Sequence, residues 1–348
     1  MPTLKEIAKR ANVSIGTVDR VIHNRGNVSK EKASIIRQII KELNYRPNLY
    51  AQQLQKNKKF TFAVIMPEMN PELGYWPMAI RGAEKAGEEL WKHNVQVDFF
   101  YYDANSRESF IQTVGKIKRL NPDGLLIAPG LYLDVIHDFT FELNDKIPYV
   151  FFDSPVPGTH SLCDILQDAY YSGWLSGKLM HLLLPNSGRI AVISVAQKGN
   201  HLRNRAEGFI NYFQEKSQYN CLLFCPEHID SPLHDIDHVA ENIFTGQHQV
   251  DGIFATNALI YKVVEYLVQR FGESKRTALI GYDLTPGNMA YLKNGWIDFL
   301  ISQRPEVQSY RGIYCLYRHV VLREKVERTL MMPLDIVTRE NITFYQEI

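Results

Sequence analysis

Apolar positions follow two regimes along the chain. Up to Leu43 they recur at helical spacing. In "TLKEIAKRA", Leu4, Ile7, Ala8 and Ala11 share one face, with Thr3 and Glu6 placed as a capping box. After the tight turn "ANV", Ser14 is set to cap a second helix whose inward positions are Val18, Val21 and Ile22. Asn24 to Gly26 breaks the chain, and Ser29 caps a third helix with the stripe Ala33, Ile36, Ile39, Ile40 and Leu43. Three short helices, the first two joined by a short turn, predict an all-α helix-turn-helix head over residues 1–46.

From Phe60 onward the pattern changes to short apolar runs separated by amphipathic segments. "FTFAVIMP", "VQVDFFYYD", "DGLLIAPG", "IPYVFFDS", "GRIAVISV", "NCLLFCP", "DGIFATN", "TALIGYD" and "IDFLISQ" are the expected strands. Segments such as "MAIRGAEKAGEELWKHN" and "RNRAEGFINYFQEK" are long enough to be crossover helices. Buried strands with helical crossovers mean parallel sheets, and this many strands suits two sheets better than one. The break is expected in the Pro/Gly-rich "SPVPGTHSLCDILQD". The prediction is an α/β body over 60–348, with a first lobe near 60–163 and 299–328 and a second near 164–298 and 329–348.

Two such lobes face each other across a cleft bounded by the C-terminal ends of their strands, where parallel sheets bind ligands. The strand ends supply Tyr75 and Trp76, Asp103, Asp153, the stretch from Gln197 to Arg205, Asn257, Asp283 and Gln303. Carboxylates, amides, an arginine and aromatic rings are what polyol recognition needs: polar forks for hydroxyls and ring faces for C–H surface. The bland alternative for each polar residue is a cap or turn at a strand end.

Charge sharpens the reading of the head. Residues 1–60 hold 13 lysines and arginines against four acids, a balance of +9 that leaves the remainder at −8. A basic head on an acidic body is the pattern of a nucleic-acid reader joined to a part that avoids phosphate. The exposed early positions of the second helix (Ile15, Gly16, Thr17, Asp19 and Arg20) would then face a DNA groove. Arg20 suits guanine, and Asp19 either accepts from cytosine or holds Arg20 in place. Ser14, Thr17, Asn27 and Ser29 are expected at phosphates, with Thr3 beside them. The competing reading is a three-helix protein-interaction module.

"TLKEIAKRANVSIGTVDRVI", followed by "ELNYRPNLYAQQL", resembles the head and hinge of the lactose-repressor (LacI/GalR) family of transcription regulators. The resemblance implies a periplasmic-binding-protein-like effector body, a homodimer and allosteric control of operator binding. It implies that segment 47–59 folds as paired hinge helices in the minor groove, where Asn48, Ala51 and Leu54 meet DNA and Leu54 wedges between base pairs. In the body it implies effector contacts for Arg205 of "RAEGF", Asp153 of "FFDS", Asn257 of "FATN" and Asp283 of "GYD". Gln303 of "ISQRP" is more similar to the glutamine of periplasmic ribose-binding proteins. Ile15-Gly16, Asp19 and Ala258 depart from the family pattern, so neither operator nor effector carries over.

Little else in the chain suggests chemistry. No Walker A, GxSxG, HExxH or GxGxxG motif occurs, so neither catalysis nor a cofactor is expected. His228, His234 and His238 in "HIDSPLHDIDH" have partial metal-ligand spacing but fit an ordinary helix start. Four scattered cysteines suggest no disulfide framework, and Cys221 and Cys225 are expected in the core. The first residues lack the apolar run of an export signal, which predicts a cytoplasmic protein. The expected partners are a pseudo-palindromic DNA operator, a small-molecule effector of the sugar class and a second copy of the chain. A sugar receptor without a gene-regulatory role is the alternative.

Overall fold

The computed structural model describes residues 4–22, 26–43, 58–68, 74–130, 132–143, 146–194, 200–225, 239–244, 250–272 and 277–345. Thr3, Asn48, Ala51, Leu54 and the three histidines 228, 234 and 238 lie outside these. The chain divides into two compact units, Met1–Lys58 and Lys59–Ile348.

The first unit contains α1 (Leu4–Arg10), α2 (Ile15–Ile22) and α3 (Lys30–Glu42). Ile7, Ala8, Val18, Val21 and Ile36 form its buried centre, with Leu4, Ile22, Ala33 and Ile39 around it. Ser14 Oγ accepts from the Thr17 N–H (3.2 Å) and Ser29 Oγ from the Lys32 N–H (3.4 Å), so both expected caps form. Asn12 and Asn27 turn the chain with positive φ, a conformation that asparagine tolerates.

The second unit has two sheets. The first contains β1 (Phe60–Pro67), β2 (Val95–Tyr102), β3 (Gly124–Ile127), β4 (Tyr149–Asp153), β5 (Cys163–Leu166) and a later strand, Thr329–Met331. The second contains β6 (Gly188–Ile193), β7 (Tyr219–Phe224), β8 (Gly252–Ala255), β9 (Ala278–Tyr282), β10 (Phe299–Ser302) and Asp335–Val337. With β11 for Thr329–Met331 and β12 for Asp335–Val337, the orders are β11-β5-β4-β3-β1-β2 and β12-β10-β9-β8-β6-β7. All pairings are parallel except β10 with β12. The orders correspond position by position, so β4 and β9 are equivalent strands of two like lobes. Helices cover both faces of each sheet, among them α4 (Tyr75–Trp91), α5 (Arg107–Leu120), α6 (Leu133–Leu143), α7 (Ala169–Leu183), α8 (Asn200–Phe213), α9 (Ile260–Phe271), α10 (Pro286–Lys293) and α11 (Pro305–Leu316). Buried on both faces, the central strands read as continuous apolar runs, β3 being buried throughout.

The expected lobe boundaries need correction. Phe299–Ser302 pairs with β9 and belongs to the second lobe, whereas Cys163–Leu166 and Thr329–Met331 belong to the first. The chain crosses between lobes after these strands, at the cleft edge. Three further strands escaped expectation: β5, β11 and β12 have only three or four residues each, and β5 lies inside the segment taken as a break. Cys221 is half-buried and Cys225 exposed, because β7 is an edge strand ending at Phe224. Among the described residues, no helix is long and apolar enough to cross a membrane.

Candidate functional site

On the head, packing of Val18 and Val21 inward leaves Ile15, Gly16 and Arg20 exposed on α2, with Thr17 and Asp19 half-buried. The Ser14 and Thr17 hydroxyls bond each other at 2.9 Å. Gly16 opens onto empty space apart from Ser14 Oγ. This exposed face carries the cation Arg20 and begins at a capped N-terminus. Asn27 and Ser29 are also exposed, at the entry to α3.

In the body, five of the eight expected cleft residues meet in one hydrogen-bonded network. Asp153 ends β4 and Asp283 directly follows the equivalent strand β9, both with left-handed backbone (φ 71° and 66°). Tyr75 OH donates to Asp153 Oδ1 at 2.6 Å. The Asp153 N–H donates to Gln308 Oε1 (2.9 Å), and Gln308 Nε2 donates to the Gln303 carbonyl (2.8 Å). Gln303 Nε2 then donates to Asp283 Oδ2 at 2.8 Å, and Arg205 Nη2 donates to Gln303 Oε1. Arg205 is buried, bonds the Thr256 carbonyl through Nη1 (2.8 Å), and stacks 4.0 Å from the ring centre of Tyr282. The network runs from the first lobe, through α11, into the second.

Three expected residues stand differently. Trp76 packs edge-on against Tyr75 and Phe152 and supports Tyr75 from the first-lobe core. Asn257 Oδ1 accepts from the Leu259 N–H, a turn before α9. Asp103 is exposed, and its Oδ1 accepts from the Asn105 N–H, so the turn role describes it. Two residues not singled out, Gln308 and Gln167, adjoin the site, as does His201, which lies in the stretch from Gln197 to Arg205 without having been named itself. His201 lies one helical turn before Arg205 on α8, a spacing that could have revealed it. Gln167 and Gln308 carry no pattern signal. A cavity of about 580 Å³ adjoins the network, walled by Asp153, Ser154, Gln167, Asp168, His201 and Asn204 among others.

Burial pushes the Asp283 carboxyl up to about 7, against the opposing pull of the Arg205 charge and the Gln303 bonds. Burial likewise raises the Tyr75 and Tyr282 phenols and lowers the His201 imidazole. Because folded Asp283 holds its proton more tightly than the unfolded carboxyl does, its contribution to stability is full below about pH 4. It is lost as pH rises to about 7, at most about 4 kcal/mol. His201 acts with the opposite sign, destabilising the fold as pH falls below about 6.5. The Asp283→Asn variant keeps His201, so its melting temperature should decline less than the parent's between pH 5 and pH 8. Parallel slopes in thermal unfolding would refute a titrating Asp283.

The comparisons with known proteins match both parts of the chain. The family profile described as "Bacterial regulatory proteins, lacI family" matches residues 3–48, and "Periplasmic binding protein domain" matches 62–324. A crystal structure from Bacteroides fragilis assigned to the LacI transcriptional regulators is 30% identical, covers 83% of this chain and 100% of its own, and has a TM-score of 0.73. The chain belongs to the lacI family of bacterial regulatory proteins. As a member of that family it is a DNA-binding transcription regulator governed by a small-molecule effector, rather than an enzyme. A ribose operon repressor from Lactococcus lactis subsp. lactis (strain IL1403) is 27% identical over 81% of this chain and 81% of its own length. A solute-binding protein of an ABC transporter from Burkholderia graminis C4D1M, solved with D-arabinose, shares the fold. It has a TM-score of 0.74 at 18% identity and covers 83% of this chain and 99% of its own. Among the described residues, no group of three His, Cys, Asp or Glu side chains could hold a metal.

Proposed function

We propose that this regulator binds a two-fold symmetric operator as a homodimer in the cytoplasm, each copy placing α2 in a major groove. Ile15, Gly16, Thr17, Asp19 and Arg20 read bases, while Thr3, Ser14, Asn27 and Ser29 hold phosphates. Asn48, Ala51 and Leu54 enter the minor groove between the half-sites. The effector is a sugar or sugar derivative seated between the lobes. It acts through its differential affinity for the open and closed arrangements, which changes how two copies present their hinges.

One observation carries the effector reading: the unbroken hydrogen-bond chain from Tyr75 and Asp153 to Asp283 and Arg205, linking both lobes beside a cavity of mixed polar and apolar lining. The names of relatives support the same class, since one is a ribose operon repressor and a structural neighbour holds D-arabinose. The test is a thermal-shift screen of pentoses, hexoses and polyols, because a ligand of the folded state raises the melting temperature by mass action. No shift from any of them would sink the sugar assignment. On the DNA side, Arg20→Ala should weaken cognate operator binding by about 1–3 kcal/mol and relax sequence preference. An equal loss on random duplex would make Arg20 a phosphate contact instead.

A further inference from the structure

The cavity wall is rich in acceptors and poor in cations. Gln167 is 6% exposed, and its Nε2 donates to the carbonyls of Ser302 (3.0 Å) and Pro333 (2.8 Å). Two carbonyl partners fix which end of the amide is nitrogen, so the other end is an oxygen. That Oε1 is buried and without a partner among the described residues. Asp153 spends Oδ1 on Tyr75, and Asp168 spends Oδ1 on the Tyr171 N–H at 2.8 Å. Oδ2 of each accepts no hydrogen bond from the described residues.

Nothing in the described wall balances these acceptors. It contains no lysine or arginine. Nearby Arg205 spends Nη1 on Thr256 and Nη2 on Gln303 and stacks on the Tyr282 ring, and its buried Nε–H has no partner among the described residues. His201 is held toward its neutral form by burial. A buried acceptor without a donor costs free energy, and the half-exposed carboxylates of Asp153 and Asp168 favour a donor that carries positive charge. A ligand group with several N–H donors and a positive charge suits all three acceptors. A metal ion is disfavoured, because no three ligating side chains converge among the described residues.

We propose that the effector carries a protonated amine, as an amino sugar does, seated by the carboxylates of Asp153 and Asp168 and by Gln167 Oε1. The assignment rests on the polyol reading of the cleft and narrows it. It also gives the amine a mechanical consequence. Gln167 lies in one crossover between the lobes and bonds the other two, so a ligand bond to its oxygen bears directly on the segments about which the lobes move.

The test uses the full-length protein at pH 7 with glucosamine, galactosamine and mannosamine, each beside its parent hexose and its N-acetyl derivative. Thermal shift finds binders and calorimetry ranks them. At least one amine should bind about tenfold or more tightly than both its neutral counterparts. Asp153→Asn and Asp168→Asn should each erase most of that preference. The amide introduced by Asp168→Asn retains a capping oxygen for the Tyr171 N–H, so this second variant guards against misfolding of the first. Parent hexoses that bind as well as the amines overturn the proposal and leave the sugar reading standing. A shift from calcium chloride alone also overturns it, in favour of a metal. If no compound in the panel shifts the melting temperature, the amine assignment falls, and the screen of pentoses, hexoses and polyols decides the sugar reading separately.

Discussion

Asp283→Ala should abolish the effector response while leaving operator affinity in the absence of effector within about twofold of the parent. The residue is 2% exposed and follows β9 in the left-handed region, where its Oδ2 accepts from Gln303 Nε2. Without it, Gln303 loses the partner that aims its other end at Arg205, and the guanidinium loses a charge partner. Leaving buried donors unpaired costs about 1–3 kcal/mol each, enough to remove a ligand's preference for the closed lobes. The helices α1 to α3 lie in a separate compact unit with a core of their own, so their grip on DNA should survive. Fluorescence anisotropy on a labelled operator, titrated with the effector found by thermal shift, reads both quantities. A variant that still responds would reduce Asp283 to a turn residue at a strand end. Asp283→Asn keeps an acceptor for Gln303 and should retain part of the response, separating lost chemistry from lost fold.

The head was legible because short helices with side-chain caps write their boundaries locally: Ser14 and Ser29 cap where their hydroxyls and spacing say they should. Central strands such as β1 and β3 were legible for a different reason, since burial on both faces leaves an uninterrupted apolar run. Edge pieces had neither signal. The four residues of β5 alternate buried and half-buried within a Pro/Gly-rich stretch, and β12 pairs antiparallel over three residues. Such strands are specified by their neighbours, not by themselves. The cleft divides in the same way. Asp153, Arg205, Asp283 and Gln303 announced themselves as polar residues at ends of apolar strands or opening a helix. Gln308 and Gln167 sit in segments with no such contrast, and only the crossovers bring them to the site. Asp103 looks the same in the sequence, a polar strand end, yet its Oδ1 accepts from the Asn105 N–H in its own turn.

Gly173→Val should destabilise the second lobe by about 3 kcal/mol or more and displace Arg205. A Cβ at residue 173 would lie 2.0 Å from the Arg205 carbonyl oxygen, and one at Gly208 would lie 2.0 Å from that of Tyr170. The backbones of α7 and α8 therefore touch at two reciprocal points. Neither helix can yield locally, because the obstacle in both cases is backbone rather than the tip of a side chain. Inserting methyl groups there forces the helices apart, and overpacking a tight core costs about 1–3 kcal/mol even where side chains can adjust. The cost carries over to function, since α8 holds the guanidinium over Tyr282 and against Thr256, and α7 holds the Ser172 hydroxyl 2.8 Å from the Tyr282 phenol. Thermal melting should show a drop of several degrees, and effector affinity should fall even at temperatures where the variant is fully folded. Gly115→Ala provides the control: its site is open, with nothing within 4 Å of the added carbon, so replacing glycine inside α5 should raise stability by about 0.5–1 kcal/mol. Equal effects from the two substitutions would mean that helix propensity, not the α7–α8 contact, sets the cost at Gly173.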